Sequence, residues 1–189
     1  MVTVYDAEPN RLIKNAVEKL RGKPGGGGIP VHMGTFADFE LKDRFALVFV
    51  VFNTLFALSS QTEQVSCFRS VANVLAAGGR FLVEAFVPDV GRFDRGQTLR
   101  TVAVGDARVR LECSLHERHT QTVNSQLVDV SGEGVALYPI RIRYAWPAEI
   151  DLMAQLAGLA LLERWGGWRR EPFTADSTVH VSVYGRPGA

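Results

Sequence analysis

The stretch FALVFVVFNTLFALSSQTEQVSCFRSVANVLAAGGRFLVEAFVPD, residues 45–89, decides how the rest of the chain is read. With Arg44 in front, residues 44–52 form a continuous apolar run rich in Val and Phe. Runs of this kind fit strands covered on both faces, as in parallel sheets. Residues 61–79 carry Val65, Phe68, Val71, Ala72 and Leu75 on one helical face, and the Gly78–Gly79 pair stops the pattern. RFLVEAFVP, 80–88, reads as the next buried strand. Strand, helix and strand in this order are the parts of a parallel βαβ unit.

Working outward, VTVY (2–5) is a short strand pattern. Residues 8–20 follow with Leu12, Ala16, Val17 and Leu20 at helical spacing and Pro9 near the start. IPVHM (29–33) reads as a strand, and 36–43 as a short helix or turn. After Pro88 the pattern changes. Four stretches between about Thr98 and Tyr144 alternate apolar and polar residues, broken at Gly105–Asp106, near His119–Thr120 and at Gly132–Gly134. They read as antiparallel strands with one wet face. A helix over 147–159, with Pro147 at its start, and a strand over 177–185 close the chain. The expectation is one α/β domain over 1–189 with a largely parallel sheet. Residues 1–97 and 147–189 form its core, and 98–146 an inserted antiparallel β layer.

The net charge of +1 supplies no attraction to nucleic acid or anionic lipid. The longest apolar run, 45–58, is too short for a spanning helix, which needs about 20 residues, and it contains Asn53. Cys67 and Cys113 fit no zinc or CxxC spacing. His116 and His119, three apart on a strand, point to opposite faces. No metal site, nucleic-acid partner or membrane contact is expected, and the chain reads as cytoplasmic.

At residues 45–89 the chain resembles class I S-adenosylmethionine-dependent methyltransferases. Their fourth strand is a run such as 45–52, their next helix ends in L-x-P-G-G, and their fifth strand follows as RFLVE. Here the last two are Leu75 to Gly79, with Ala77 for the usual proline, and 80–84. The antiparallel excursion is similar to that of small-molecule and sugar N-methyltransferases. The resemblance implies a Rossmann-like sheet, S-adenosylmethionine as cofactor, and a small-molecule amine or hydroxyl as methyl acceptor. It also places Asp6, in YDAEP, at the end of the second strand, where a carboxylate holds the ribose diol; a turn or helix-cap role stays open. Gly34-Thr35-Phe36 stands where the family's G-D-M meets the adenine, which makes Thr35 and Phe36 cofactor candidates.

The four glycines of KPGGGGIPV (23–31) sit after a helix and before a strand, the wrong side of the unit for a phosphate-cradling loop. In doubly wound folds the ribose-reading acid follows the glycine fingerprint by about 20 residues. Only five residues precede Asp6. The expectation is therefore an N-terminally truncated sheet lacking the first strand and its loop, with impaired cofactor binding. The alternative is an inactive remnant acting as an interaction module. An open sheet would then recruit a second copy or a strand-complementing chain.

Other candidates come from position and residue type. Asn53 and Thr54 follow the fourth strand at the carboxyl edge, where open α/β sheets bind ligands. Asn53 can meet the cofactor's amino-acid portion or an acceptor amine, or satisfy loop backbone. Glu84, inside a buried strand, must be paired or carry a raised pKa. It is a candidate base or amine anchor, or half of an ion pair with an arginine. Trp168 and Arg169, in WGGWRREPF (165–173), read as a substrate lid or as a plain turn. Tyr144 and Trp146, ending the excursion, are expected to face the same cleft.

Overall fold

The structure is a computed structural model describing residues 17–188. Asp6, the strand expected at 2–5 and most of the helix expected at 8–20 lie outside the described residues. Residues 17–21 are helical. Eight strands follow: β1 (Phe45–Val50), β2 (Leu75–Phe86), β3 (Gln97–Val104), β4 (Arg108–Glu117), β5 (Thr122–Ser131), β6 (Gly134–Arg143), β7 (Ala160–Trp165) and β8 (Val179–Gly185). Helix α1 (Gln61–Val74) joins β1 to β2, and α2 (Pro147–Leu156) joins β6 to β7.

The strands form two sheets, ordered β1-β2-β8-β7 and β3-β4-β5-β6. This is the expected α/β core with an antiparallel layer between β2 and α2. Within the described residues only β1 and β2 pair in parallel, so the first sheet is mixed rather than largely parallel. Among the described residues no strand precedes β1, and 29–33 are not a strand. Pro30 offers no N–H to a strand ladder.

Helix α1 begins where Ser60 Oγ accepts from the Glu63 N–H and Glu63 Oε2 accepts from Ser60 Oγ. It ends at Val74, four residues before the glycine pair expected to stop it. Gly78 and Gly79 instead lie inside β2, at a bulge where the β1–β2 register slips between Phe45↔Leu75 and Leu47↔Arg80. Gly78 has φ +70°, and a Cβ on Gly79 would come within 2.8 Å of the Phe45 carbonyl oxygen. The pair is thus required by close strand approach, not by a helix stop.

The core joins one face of β2 (Phe81, Val83, Ala85) to Phe68, Val71 and Ala72 of α1, Ile150 and Met153 of α2, and Tyr184 of β8. Phe68 packs edge-on against Phe81 and Tyr184, at 5.1 and 5.7 Å between ring centroids. β1 is not covered on both sides as its composition suggests. Val48 and Val50 meet the core, while Leu47 and Phe49, on the opposite face, are 54% and 51% exposed. The antiparallel layer departs from expectation in the same way, since β6 is exposed on both faces from Gly134 to Arg141. Its base is packed, at His116, Thr122, Val123 and Arg143, and farther out Asp129 is buried under Arg108 and Arg110. Among the described residues no helix is long and apolar enough to cross a membrane.

Candidate active site

β1 stops at Val50 because the next residues leave extended geometry. Phe52 and Asn53 have φ of 57° and 60°, the left-handed region that L-residues adopt only under constraint. Two side chains impose it. Glu84 Oε2 accepts the Phe52 N–H at 2.5 Å, and Asn53 Oδ1 accepts the Phe86 N–H at 2.7 Å. Both anchors belong to β2, so the pair replaces the ladder that β1 abandons. Thr54 Oγ1 donates to the Val51 carbonyl at 2.6 Å, closing a short 3-10 turn over Thr54–Ala57. The outcome at the carboxyl edge is an aromatic ring, Phe52, left 84% exposed. Sequence reasoning passed over it because it stands at the end of an apolar run.

Glu84 is half-buried and engages backbone rather than an arginine. Thr35 Oγ1 accepts from the Ala37 N–H at 3.1 Å, and Phe36 packs half-buried against the core. The glycines at 25–28 form a tight turn. Arg21 ties it by donating to the carbonyls of Gly27 (2.7 Å) and Ile29 (2.9 Å), and a Cβ on Gly26 would collide with the Leu20 carbonyl.

A cavity of about 250 Å³ opens beyond the end of β2, between the core and the base of the antiparallel layer. Phe86, Val87, Phe93, Val123, Tyr144 and Thr178 line it, with Asp89 and Arg92 among its polar lining residues. Tyr144 therefore does face a cleft. Trp146 and Trp168 are not among its lining residues; they are 41% and 58% exposed. The 166–178 loop leaves the sheet at the same edge. It is a self-contained turn: Gly166 N–H donates to the Glu171 carbonyl, Arg169 N–H to Glu171 Oε2, and the Arg170 guanidinium lies over Trp165 at 4.6 Å.

Tyr144 is positioned from behind by a buried polar hub. Arg143 donates to Gln64 Oε1 (2.6 Å) and to Glu149 Oε1 (2.7 Å), while Gln64 Nε2 donates back to the Arg143 carbonyl. Gln121 donates to the Tyr144 carbonyl and to Glu149 Oε2, and Gln61 donates to Glu149 Oε1. Burial raises the Glu149 carboxyl, but bonds from Arg143, Gln121 and Gln61 more than offset this and hold it below its ordinary value. The hub locks β6 to α1 and α2 at the one place where the layer meets the core.

No protein-family model matches the chain. Over 156 residues it is 29% identical to the cypemycin N-terminal methyltransferase of a Streptomyces species, covering 81% of this chain and 63% of that protein. The chain thus spans just under two thirds of that relative's length. Among solved structures it superposes on the CcbJ methyltransferase of Streptomyces caelestis with a TM-score of 0.90 at 39% identity, over all of this chain and 75% of that one. CalS10, an amino pentose methyltransferase of Micromonospora echinaspora solved with S-adenosylmethionine bound, gives a TM-score of 0.67 at 18% identity, over 96% of this chain and 73% of that one.

Proposed function

This chain belongs to the class I S-adenosylmethionine-dependent methyltransferases, and we propose that it carries out methyl transfer to an amine or hydroxyl of a small molecule. The observation that carries the reading is the clamped turn at Phe52 and Asn53, at the carboxyl edge of β1, on the sheet whose β2 leads into the cavity bounded by Tyr144. Ligands of open α/β sheets bind at this edge. The cytoplasm is the proposed compartment.

When bound, S-adenosylmethionine supplies an electrophilic methyl group on a sulfonium sulfur. The residues fit such a group in part. Phe52 offers an exposed aromatic face that can meet a cation, and Asn53, with Oδ1 committed to Phe86, still has its amide N–H donors. Asp6, Thr35, Phe36 and Thr54 complete the proposed cofactor side. In-line methyl transfer draws most of its acceleration from positioning, and that is the work this chain's groups are assigned. Glu84 holds the turn that carries Phe52 and Asn53, and serves as anchor for an acceptor amine. Tyr144 and Trp146, with Trp168 and Arg169 from the 166–178 loop, are assigned to the acceptor.

Isothermal titration with S-adenosylmethionine tests the cofactor assignment, on this chain and on a version carrying any in-frame sequence that precedes residue 1. A saturable heat is expected, stronger in the extended version. Absence of binding in both would end the enzyme reading.

One observation favours a second reading, an interaction or oligomerisation module. Among the described residues β1 is the terminal strand of its sheet, and its outward face carries Leu47 and Phe49 half exposed. Unpaired apolar strands of this kind recruit partners. Concentration-dependent light scattering should then show self-association that Phe49→Lys reduces. A strict monomer at every concentration removes this reading.

A further inference from the structure

The wall of the cavity contains a polar pair that the methyl-transfer reading leaves idle. Tyr144 Oη lies 2.9 Å from His116 Nε2. His116 is only 7% exposed, and its Nδ1 is buried without a hydrogen-bond partner among the described residues. Its ring is stacked on Phe93, with centroids 4.5 Å apart and planes tilted by 30°, and the Arg92 guanidinium lies over the same Phe93 at 4.7 Å. His116 thus has one fixed orientation and one polar contact, and that contact is the side chain lining the cavity. A buried, aimed imidazole with no structural bond of its own points to proton handling.

The charged surroundings fit that task. Arg92, after β2, and Arg118, after β4, face His116, while Arg143 and Glu149 flank Tyr144. Burial first, then the charges of Arg118 and Arg92, hold the imidazole below its ordinary value, so it is a free base at neutral pH. Burial raises Tyr144, which stays a protonated phenol. An imidazole nitrogen is a better acceptor than a phenol oxygen, so the phenol donates to Nε2 and the neutral ring carries its proton on Nδ1. Asp89 and the Phe86 ring in the cavity lining favour a cation, and the positive charge of Arg92 in the same lining is held over the Phe93 ring.

Resting on the methyl-transfer reading, we propose that the acceptor is an amine entering the cavity as ammonium, and that Tyr144 with His116 removes its proton. One N–H bond of R–NH3+ breaks as that proton passes to Tyr144 Oη and the Tyr144 proton passes to His116 Nε2. This leaves R–NH2 with a free lone pair and an imidazolium at His116. The lone pair forms the N–CH3 bond as the S–CH3 bond of the sulfonium donor breaks, giving R–NH2+–CH3 and a neutral thioether. After this product leaves, the imidazolium passes its proton to Tyr144 Oη and Tyr144 releases its own to water. Tyr144 is the catalytic residue; His116 acts through it and is a positioning residue that also holds the proton.

Two measurements need neither donor nor acceptor. Imidazole 15N spectra should show His116 as the Nδ1–H tautomer; Nε2–H would overturn the relay. Tyr144→Phe removes the bond that stabilises the neutral ring, so the His116 titration midpoint should rise relative to the parent chain; an unchanged midpoint would likewise overturn it. A third measurement follows methyl transfer from S-adenosylmethionine to D-glucosamine as probe amine. His116→Gln can still accept from Tyr144 but cannot hold a proton. It should lower kcat on the order of 100-fold, the lower end for a general base, with little change in KM, and should abolish the acid limb of the pH profile. Equal kcat in both proteins would sink the proposal. If the parent chain itself transfers nothing to this amine, it is the function proposed above that fails for this acceptor class, and the two spectroscopic results still decide the dyad.

Discussion

Arg143→Met is expected to lower stability by about 3–5 kcal/mol, the range for breaking a buried ion pair from one side. Arg143 is 8% exposed, and its guanidinium satisfies two acceptors at once, Gln64 Oε1 and Glu149 Oε1. Methionine fills much of the same volume, so the loss is electrical rather than steric. Gln64, fully buried in α1, would keep its donor bond to the residue-143 carbonyl but lose the partner of its oxygen. Glu149 would remain with bonds from Gln61 and Gln121 but no countercharge. Its carboxyl would then move up toward its ordinary value. Because the Glu149 carboxyl is held low in the parent, its contribution is present above the unfolded pKa and is lost as pH falls through the folded one. The gap between parent and Arg143→Met should therefore narrow in acid. Urea unfolding at neutral and acid pH measures both effects. A cost under about 1 kcal/mol at neutral pH, the range of exposed ion pairs, would show that the hub is surface-like in energy.

Phe68→Ala should cost about 3–5 kcal/mol through a different cause, the loss of buried ring area and the cavity it leaves. Phe68 is fully buried, and both its edge-on partners, Phe81 and Tyr184, belong to sheet strands that cannot shift without breaking the β2–β8 ladder. Collapse around the hole is therefore restricted, which favours the upper half of that range. Phe52→Ala is the matched control. The same atoms are removed from an 84% exposed site, where the change should stay within about 0.5 kcal/mol. Chemical denaturation of the two variants side by side checks the contrast, and comparable losses would contradict the burial pattern.

Much of the core was legible because local signals and tertiary roles coincide in it. The apolar run at 44–52, the amphipathic face within 61–79 and the alternation from about 98 to 144 each predict the kind of element that forms, though not its ends. Sequence reading failed where a residue's duty lies across the sheet. Gly78–Gly79 resemble a helix stop, yet they serve the close approach of Phe45. Glu84 reads as a buried carboxylate in search of an arginine, and only the strand register shows that its partner is a backbone N–H 32 positions earlier. Residues 29–33 have strand composition, but Pro30 among them offers no N–H to a ladder. His116, in β4, and Tyr144, just after β6, are 28 residues apart, and β4 does not pair with β6, so nothing local marks them as a dyad. The usable signal was Tyr144, at the point where the excursion rejoins the core.

The double clamp on the turn after β1 has a further consequence. Since Glu84 and Phe86 are residues of β2, the Phe52 ring takes its position from the middle of the sheet and not from the loop that bears it. Any ligand arriving at that edge meets a surface whose freedom was already given up when the sheet formed. Association there avoids the backbone ordering cost of about 1–2 kcal/mol per residue that a mobile loop would add, so that only the rotamer of the exposed ring is left to be fixed. The sheet thus acts as the ruler for a contact made outside it.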